Sequence, residues 1–554
     1  MGAKVITAMQ AAIDRQNQLT ARFKKARVLI IEDSAEARGM LRGTMRDSGA
    51  EKIDLAVSGQ EGIDAMRSRH YDVVLCDYNL GKGKDGQQVL EEARFSQYLR
   101  YSTIFIMITA ETSVEMVMGA LEYQPDSYLS KPYTKNELMS RLNRALRSKI
   151  EYRSIEDLFE KKQFDQAIQL CDEKIAEGPE RPMRACRIKG ECLFKLKQYA
   201  AAKSLFSEVL KERELAWANI GLGKTLYYLR DFEAGADIFR KLIAEQPDVV
   251  ESYDWLARIL IALRRAREAQ DILENAVLKS PKAVLRQMEL AKLALANRSY
   301  LVAEKSYRKS ITLASNSCYH SPTNYLQYVR TLLVKIDQSH SQVSREAFAE
   351  AKLFLMRLRK EFDNQREINF KAYMLESLVY HNHGDSNGCD KAVKLAKGIY
   401  AGFDVMKREL LAEEYVSNLT LVGRIEESQE FIHELQKSSN KPELANKLLA
   451  RVADGKRRLH SESLNIEAME LYEKGAIMEA HEKFSEAAST KGATASVLLN
   501  AVSVCVELAE REDLNKDEWR KECRAYLERL EGLDRCDHRY ALFVGFRDRF
   551  HQLS

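Results

Sequence analysis

The sequence predicts a doubly wound, five-stranded parallel α/β domain followed by an all-α array of stacked helical hairpins. Three observations predict it. Between residues 27 and 148, five short apolar runs alternate with five helical patterns. From about residue 150 onward, small residues recur inside helical patterns at intervals of 33 to 35. The chain has 554 residues but only eight prolines and 25 glycines, which favours helix over loop-rich architecture.

Taken in order, RVLII (27–31) is a β-branched run that ends in Glu32-Asp33-Ser34, and a helical pattern follows through Ala37, Met40, Leu41 and Met45 to Gly49. KIDLAV (52–57) reads as a strand, GQEGIDAMRSRH (59–70) as a helix, and YDVVLCD (71–77) as the third strand. A helix fits QQVLEEARF (87–95), then TIFIMIT (103–109) is a strand and 112–122 a helix. SYLS (127–130) runs into Lys131-Pro132, and a last helix starts near Asn136. In such sheets ligands collect at the carboxyl ends of the strands. Those ends carry Glu32 and Asp33, then Asp77, Thr109 and Lys131. Clustered carboxylates repel unless a hard cation such as Mg²⁺ shares them, and one of them can then serve as a nucleophile towards phosphorus. A lysine and a hydroxyl suit the remaining phosphoryl oxygens.

Composition sets bounds on the function. The chain is 45% hydrophobic and 30% charged, the balance of a folded protein, and its formal net charge of +4 implies no large field for nucleic acid or membrane. Nine cysteines without a CxxC pair suggest neither a disulfide framework nor a zinc site. With no apolar run near the roughly 18 residues of a membrane helix, and no secretory core at the N-terminus, a reducing cytoplasmic setting is expected.

With this order of residues, segment 26–148 resembles the receiver domain of two-component response regulators, a flavodoxin-like fold. The resemblance implies that Asp77 is the phosphoacceptor, that Asp33 binds Mg²⁺ directly, Glu32 through water and Asn79 through its carbonyl, and that Thr109 and Lys131 contact the phosphoryl group. It implies a cis Lys131-Pro132 peptide and a switch role for Tyr128. Asn79 and Glu111 stand where the chemotaxis response regulator has its amide–acid pair, which implies rapid self-dephosphorylation. Two departures are local: NLGKGKDG replaces the usual Met-Pro after the phosphoacceptor, and Gln124-Pro125-Asp126 stands where Gly-Ala-Asp is common.

The repeat is carried by Ala167, Ala202, Gly235, Ala269 and Ala303, each followed four positions later by Cys171, Phe206, Phe239, Leu273 or Tyr307. Pro179, Pro247 and Pro281 follow twelve positions after three of them, and Leu222-Gly223, Leu256-Ala257 and Leu290-Ala291 precede. This pattern resembles tetratricopeptide repeats: five units over 149–315, then irregular helical repeats over 316–554 with a similar unit near 464–492 at Ala480, Phe484 and Ala487. The resemblance implies a concave groove lined by Arg187, Trp217, Ile220, Lys224, Tyr227, Arg258, Met288 and Lys292, suited to an acidic, partly apolar peptide; a self-association surface is the alternative. His381 and His383 read as a turn beside Gly384 and Lys456-Arg457-Arg458 as a solvated helix end.

From Asn136 to Glu177 there is no proline or glycine, so the last receiver helix is expected to run as a rod into the first repeat. Segment 1–25 reads as an amphipathic helix that docks on the receiver or aids a homodimer. The expected function is a phosphorelay regulator that takes phosphate from a histidine kinase or phosphotransfer protein and turns over no separate metabolite. Its helical output would bind protein, with nucleic acid and membrane disfavoured. The alternatives are a scaffold with an unphosphorylated receiver, or a transcriptional regulator with a cryptic DNA site.

Overall fold

The computed structural model describes residues 23–110, 125–177, 182–336, 341–438, 442–511, 516–533 and 539–553. Its N-terminal part runs β1 (Arg27–Ile31), α1 (Ala35–Asp47), β2 (Lys52–Ala56), α2 (Gly59–Ser68), β3 (Val73–Asp77), α3 (Gly86–Phe95), β4 (Ile104–Thr109), β5 (Ser127–Ser130) and α4 (Lys135–Glu151). The strands form one sheet in the order β2-β1-β3-β4-β5, and every pairing is parallel. The expected helix at 112–122 and most of segment 1–25 lie outside the described residues.

The apolar runs lack an alternating polar face because both faces of the sheet are covered. Val28, Ile30, Val73, Leu75, Ile104 and Ile106 pack with Leu41 and Met45 of α1 and Leu138 and Leu142 of α4. The alternate residues Leu29, Ile31, Val74, Cys76, Phe105 and Met107 pack with Ile63 of α2 and Val89 and Leu90 of α3. Phe23, just before β1, is buried in the first of these layers. Helix starts are written locally: Ser34 and Ser58 cap α1 and α2, while Asp85 with Gln88 and Thr134 with Glu137 form capping boxes on α3 and α4.

The rest of the chain is helical. Hairpins follow as α5 (Arg153–Glu160) with α6 (Phe164–Ala176), α7 (Met183–Lys195) with α8 (Tyr199–Glu212), α9 (Ala216–Tyr228) with α10 (Phe232–Glu245), α11 (Glu251–Ala262) with α12 (Ala266–Lys279), and α13 (Val284–Ala296) with α14 (Tyr300–Ala314). Lys162, Lys197, Arg230, Arg264 and Arg298, one at each hairpin turn, all adopt a left-handed backbone with φ between 57° and 62°. Ala167, Cys171, Ala202, Phe206, Phe239, Ala269, Leu273, Ala303 and Tyr307 are buried. The Phe206 ring fills the space a side chain would need at Gly190 and Gly221, and the Phe239 ring does so at Gly223. Pro247 and Pro281 stand just past the ends of α10 and α12, while Pro179 lies outside the described residues.

Further on come α15 (Pro322–Leu332), α16 (Gln342–Glu361), α17 (Arg366–His383), α18 (Ser386–Ala401), α19 (Val405–Leu421), α20 (Ile425–Ser438), α21 (Pro442–Glu473), α22 (Ile477–Ser489), α23 (Ala495–Arg511), α24 (Lys516–Leu530) and α25 (Tyr540–Leu553). The left-handed turn residue here is glycine, at Gly384, Gly423 and Gly475, and the interval is no longer constant. Ala480, Phe484 and Ala487 are buried on α22. His381 and His383, expected in a turn, lie in the last turn of α17, where His383 stacks on Phe348 at 3.8 Å, and Lys456-Arg457-Arg458, expected at a helix end, lies within α21. No helix among the described residues is long and apolar enough to cross a membrane.

The chain divides into two compact units, Met1–Leu290 with Lys309–His320, and Ala291–Arg308 with Ser321–Ser554. One sequence expectation is corrected inside the first. There is no unbroken rod from the last sheet-flanking helix into the first hairpin: α4 ends at Glu151, and Tyr152 (φ −104°, ψ 7°) leaves helical geometry before α5 begins. The Tyr152 ring is buried, with the Lys174 ammonium and the Arg184 guanidinium each 5.2 Å from its centre, so a packed side chain makes the bend without proline or glycine.

Candidate functional site

The parallel register brings the expected residues to one edge. Glu32 and Asp33 follow β1, and Asp77 closes β3 opposite Ile108. Thr109, one residue further along β4, is buried, and Lys131 follows β5. One carboxylate oxygen from each of Glu32, Asp33 and Asp77 lies within 4.8 Å of the other two. Lys131 Nζ is 3.0 Å from Glu32 Oε2 and 3.0 Å from Asp77 Oδ1. The Lys131-Pro132 peptide is cis, and the Lys131 N–H donates to the Thr109 carbonyl at 2.6 Å. Glu32 and Asp77 are buried while Asp33 is exposed, so the acidic set opens to solvent on the Asp33 side.

The electrostatics follow from this packing. Burial pushes the Asp77 carboxyl above the usual carboxylate range, the Lys131 hydrogen bond pulls the other way, and the charges of Glu32 and Asp33 push it up further. For Lys131, burial alone would lower the ammonium's affinity for its proton, but the bonds to Asp77 and Glu32 outweigh it and hold it above an ordinary lysine. Both members of the pair shift upward, Asp77 chiefly through burial and Lys131 through its bonds to two carboxylates. All the donors are oxygens, which suits Mg²⁺ better than a softer metal.

Two backbone features shape the pocket. Gly86 opens α3 directly under Asp77: a Cβ at Gly86 would fall 2.2 Å from the Asp77 carbonyl oxygen. Gly81, at φ 68°, turns the loop over the acids, and a Cβ there would fall 3.1 Å from Asp33 Oδ2. Asn79 is exposed on the same loop, and Tyr128 of β5 is half-buried against the α2–α3 layer. Glu111 lies outside the described residues. Arg38 was not singled out from the sequence. Its guanidinium donates to the carbonyls of Glu32 at 2.7 Å and Asp33 at 3.1 Å, fixing the backbone of the acidic pair from the first turns of α1.

Residues 28–143 match the family described as response regulator receiver domain. The N-terminal domain is a receiver domain. Chemotaxis protein CheY-3 of Vibrio cholerae is 26% identical over 121 residues, which cover 22% of this chain and 92% of that protein. Among solved structures, the chemotaxis response regulator CheY4 of Vibrio cholerae is 27% identical and covers 22% of this chain and 98% of its own, with a TM-score of 0.20. A CheY-like receiver from Methanospirillum hungatei JF-1 is 22% identical over 23% of this chain and 97% of its own, with a TM-score of 0.21.

Beyond the receiver, the expected basic groove is altered by internal pairing. Arg187 pairs with Glu191 at 3.6 Å on α7, and Arg258 of α11 pairs with Glu289 of α13 at 3.2 Å. Lys224 pairs with Glu251, and the Lys224 and Arg258 cations also flank the Trp255 ring at 5.3 and 4.9 Å. Arg187, Lys224 and Arg258 thus each meet an acid of this chain. Trp217 is half-buried and packs edge-to-face on Phe206 of α8 at 6.2 Å. Ile220, Tyr227 and Met288 are half-buried and Lys292 is exposed. A second trio, His481, Cys505 and Glu522, also comes together, but His481 Nε2 is already 3.0 Å from Glu522 and its ring packs on Trp519.

Proposed function

We infer that this chain is a phosphorelay response regulator whose phosphoacceptor is Asp77. The observation that supports the reading is the shared geometry of Glu32, Asp33, Asp77 and Lys131 at one sheet edge. Mg²⁺ would be held by Asp33, Asp77 and the Asn79 carbonyl, with Glu32 behind them. When bound, it screens the charge between the acids and an incoming phosphoryl group. The Asp77 carboxylate oxygen attacks phosphorus, the P–N bond to the donor histidine breaks, and the electron pair stays on the imidazole nitrogen. Lys131 and Thr109 hold the phosphoryl oxygens. In a separate hydrolytic step water attacks phosphorus, the P–O bond to Asp77 breaks with its electron pair returning to the carboxylate, and inorganic phosphate leaves as the water gives up a proton.

Asn79 and Glu111 flank the position of that water in the reading taken from the sequence, so the phosphorylated state is short-lived. The chain's own chemistry ends there, and no separate substrate is turned over. The helical region, with left-handed turns and buried small–large pairs at the tetratricopeptide interval, is the output and binds protein. All site residues the chemistry needs are present, which favours this reading over an unphosphorylated scaffold. The test is binding of beryllium fluoride with Mg²⁺, followed by a pull-down with and without the mimic in the wild type and in Asp77→Ala. An output that captures the same proteins in all four conditions would count against it.

A further inference from the structure

Five hydrogen bonds join the receiver to helical residues through the loop after Asp77 and through α3. Tyr78, the residue after Asp77, has its hydroxyl 3.3 Å from Lys282 Nζ, and that ammonium lies 5.4 Å from the Tyr78 ring centre. Further along the loop, Asn316 Nδ2 donates to the Gly83 carbonyl at 3.0 Å, and Lys84 Nζ donates to the Asn316 carbonyl at 2.8 Å. On α3, Gln88 Nε2 donates to the Leu313 carbonyl at 3.1 Å, and the Ser317 hydroxyl donates to buried Glu91 at 2.9 Å. Phe95, at the end of the same helix, meets Tyr319 edge-to-face at 5.5 Å. All of these residues belong to the first compact unit.

The same loop lies against the acidic pocket. Gly81 approaches Asp33 so closely that even a methyl group would touch its carboxylate. A cation and a phosphoryl group between Asp33 and Asp77 need that space, and in the reading above the Asn79 carbonyl would bind the metal. Gly83 and Lys84, two and three residues past Gly81, are clasp points. The loop is therefore one short element asked to satisfy two sites.

We propose that the segment 313–319 together with Lys282 is a seat for the receiver's own β3–α3 loop, and that filling the pocket at Asp77 loosens it. The inference rests on the phosphoacceptor reading above and deepens it by naming how the site is regulated. Because coupling is reciprocal, an occupied seat must in turn weaken binding in the pocket.

Hydrogen exchange followed by mass spectrometry on the full chain tests it, with Mg²⁺ and beryllium fluoride as the probe. The expected result is slower exchange in peptides at the ends of β1 and β3, with amides of 313–319 exchanging about threefold faster or more, and neither change in Asp77→Asn. Pocket peptides that slow while 313–319 stays unchanged or slows would overturn the proposal and leave the phosphoacceptor reading standing. Pocket peptides that do not respond would remove that reading itself, and this inference with it. The second arm is the Lys282→Ala, Asn316→Ala double variant titrated with Mg²⁺ alone. It should bind about threefold more tightly than wild type, and equal affinity would overturn the proposal.

Discussion

Lys131 Nζ stands 3.0 Å from Asp77 Oδ1 and 3.0 Å from Glu32 Oε2, so one ammonium bridges two buried carboxylates. In Lys131→Met the acids lose their internal counter-charge, yet they also lose a cation that competes with metal. Mg²⁺ affinity should therefore be no weaker than in wild type, since a cation beside the acids repels an incoming metal. Labelling by acetyl phosphate should fall about tenfold or more, equivalent to ~1.4 kcal/mol of barrier. Undiminished labelling would show that Lys131 has no part in the transfer.

Gly86 lets the chain turn beneath Asp77 at a distance no side chain tolerates. Gly86→Ala should destabilise the receiver by about 1–3 kcal/mol, the range of an overpacked site. The variant should also weaken Mg²⁺ binding, because relief of the contact displaces the Asp77 backbone. Denaturation and metal titration on the same preparation check both effects.

In the helical region, the Phe239 ring is wholly buried and rests on the bare backbone of Gly223. Phe239→Ala should cost about 3–5 kcal/mol by denaturant titration, because neighbouring helices cannot close over the lost ring. A cost under about 1 kcal/mol would mean that the hairpins are not packed around this position.

His381 gives a pH dependence. Burial lowers its affinity for a proton below that of an ordinary histidine, with Glu462 partly opposing the shift. Below its ordinary value of 6.5 the unfolded chain binds the proton and the folded chain resists it. Stability therefore falls as the pH drops through that value. The slope should be smaller in His381→Gln, measured by thermal denaturation between pH 5 and 8, the range in which histidine titrates.

The parallel sheet was readable because β1, β3 and β4 each carry an unbroken apolar run, at 28–31, 73–76 and 104–108, as strands covered on both faces must. The acidic edge was readable for the related reason that polar residues appear abruptly where those strands end. What could not be read are relations between distant residues. Lys282 reaches Tyr78 across 204 positions, and nothing in either neighbourhood announces it. Arg38 looked like any exposed helix cation, although its place in the first turns of α1 could have suggested that it reaches back to the acids. The bend at Tyr152 uses neither glycine nor proline. The paired groove was recoverable in principle: Glu251 follows Lys224 by 27 positions and Glu289 follows Arg258 by 31, nearly one repeat on.

The most direct measurement of the central claim is intact-mass analysis after incubation with acetyl phosphate and Mg²⁺. The account predicts one phosphoryl group on the wild type, labile to hydroxylamine and decaying within minutes once the donor is removed. That label should be absent from Asp77→Ala and from samples treated with a chelator. A wild type that takes up no phosphoryl group, or an Asp77→Ala chain labelled as well as wild type, would contradict it.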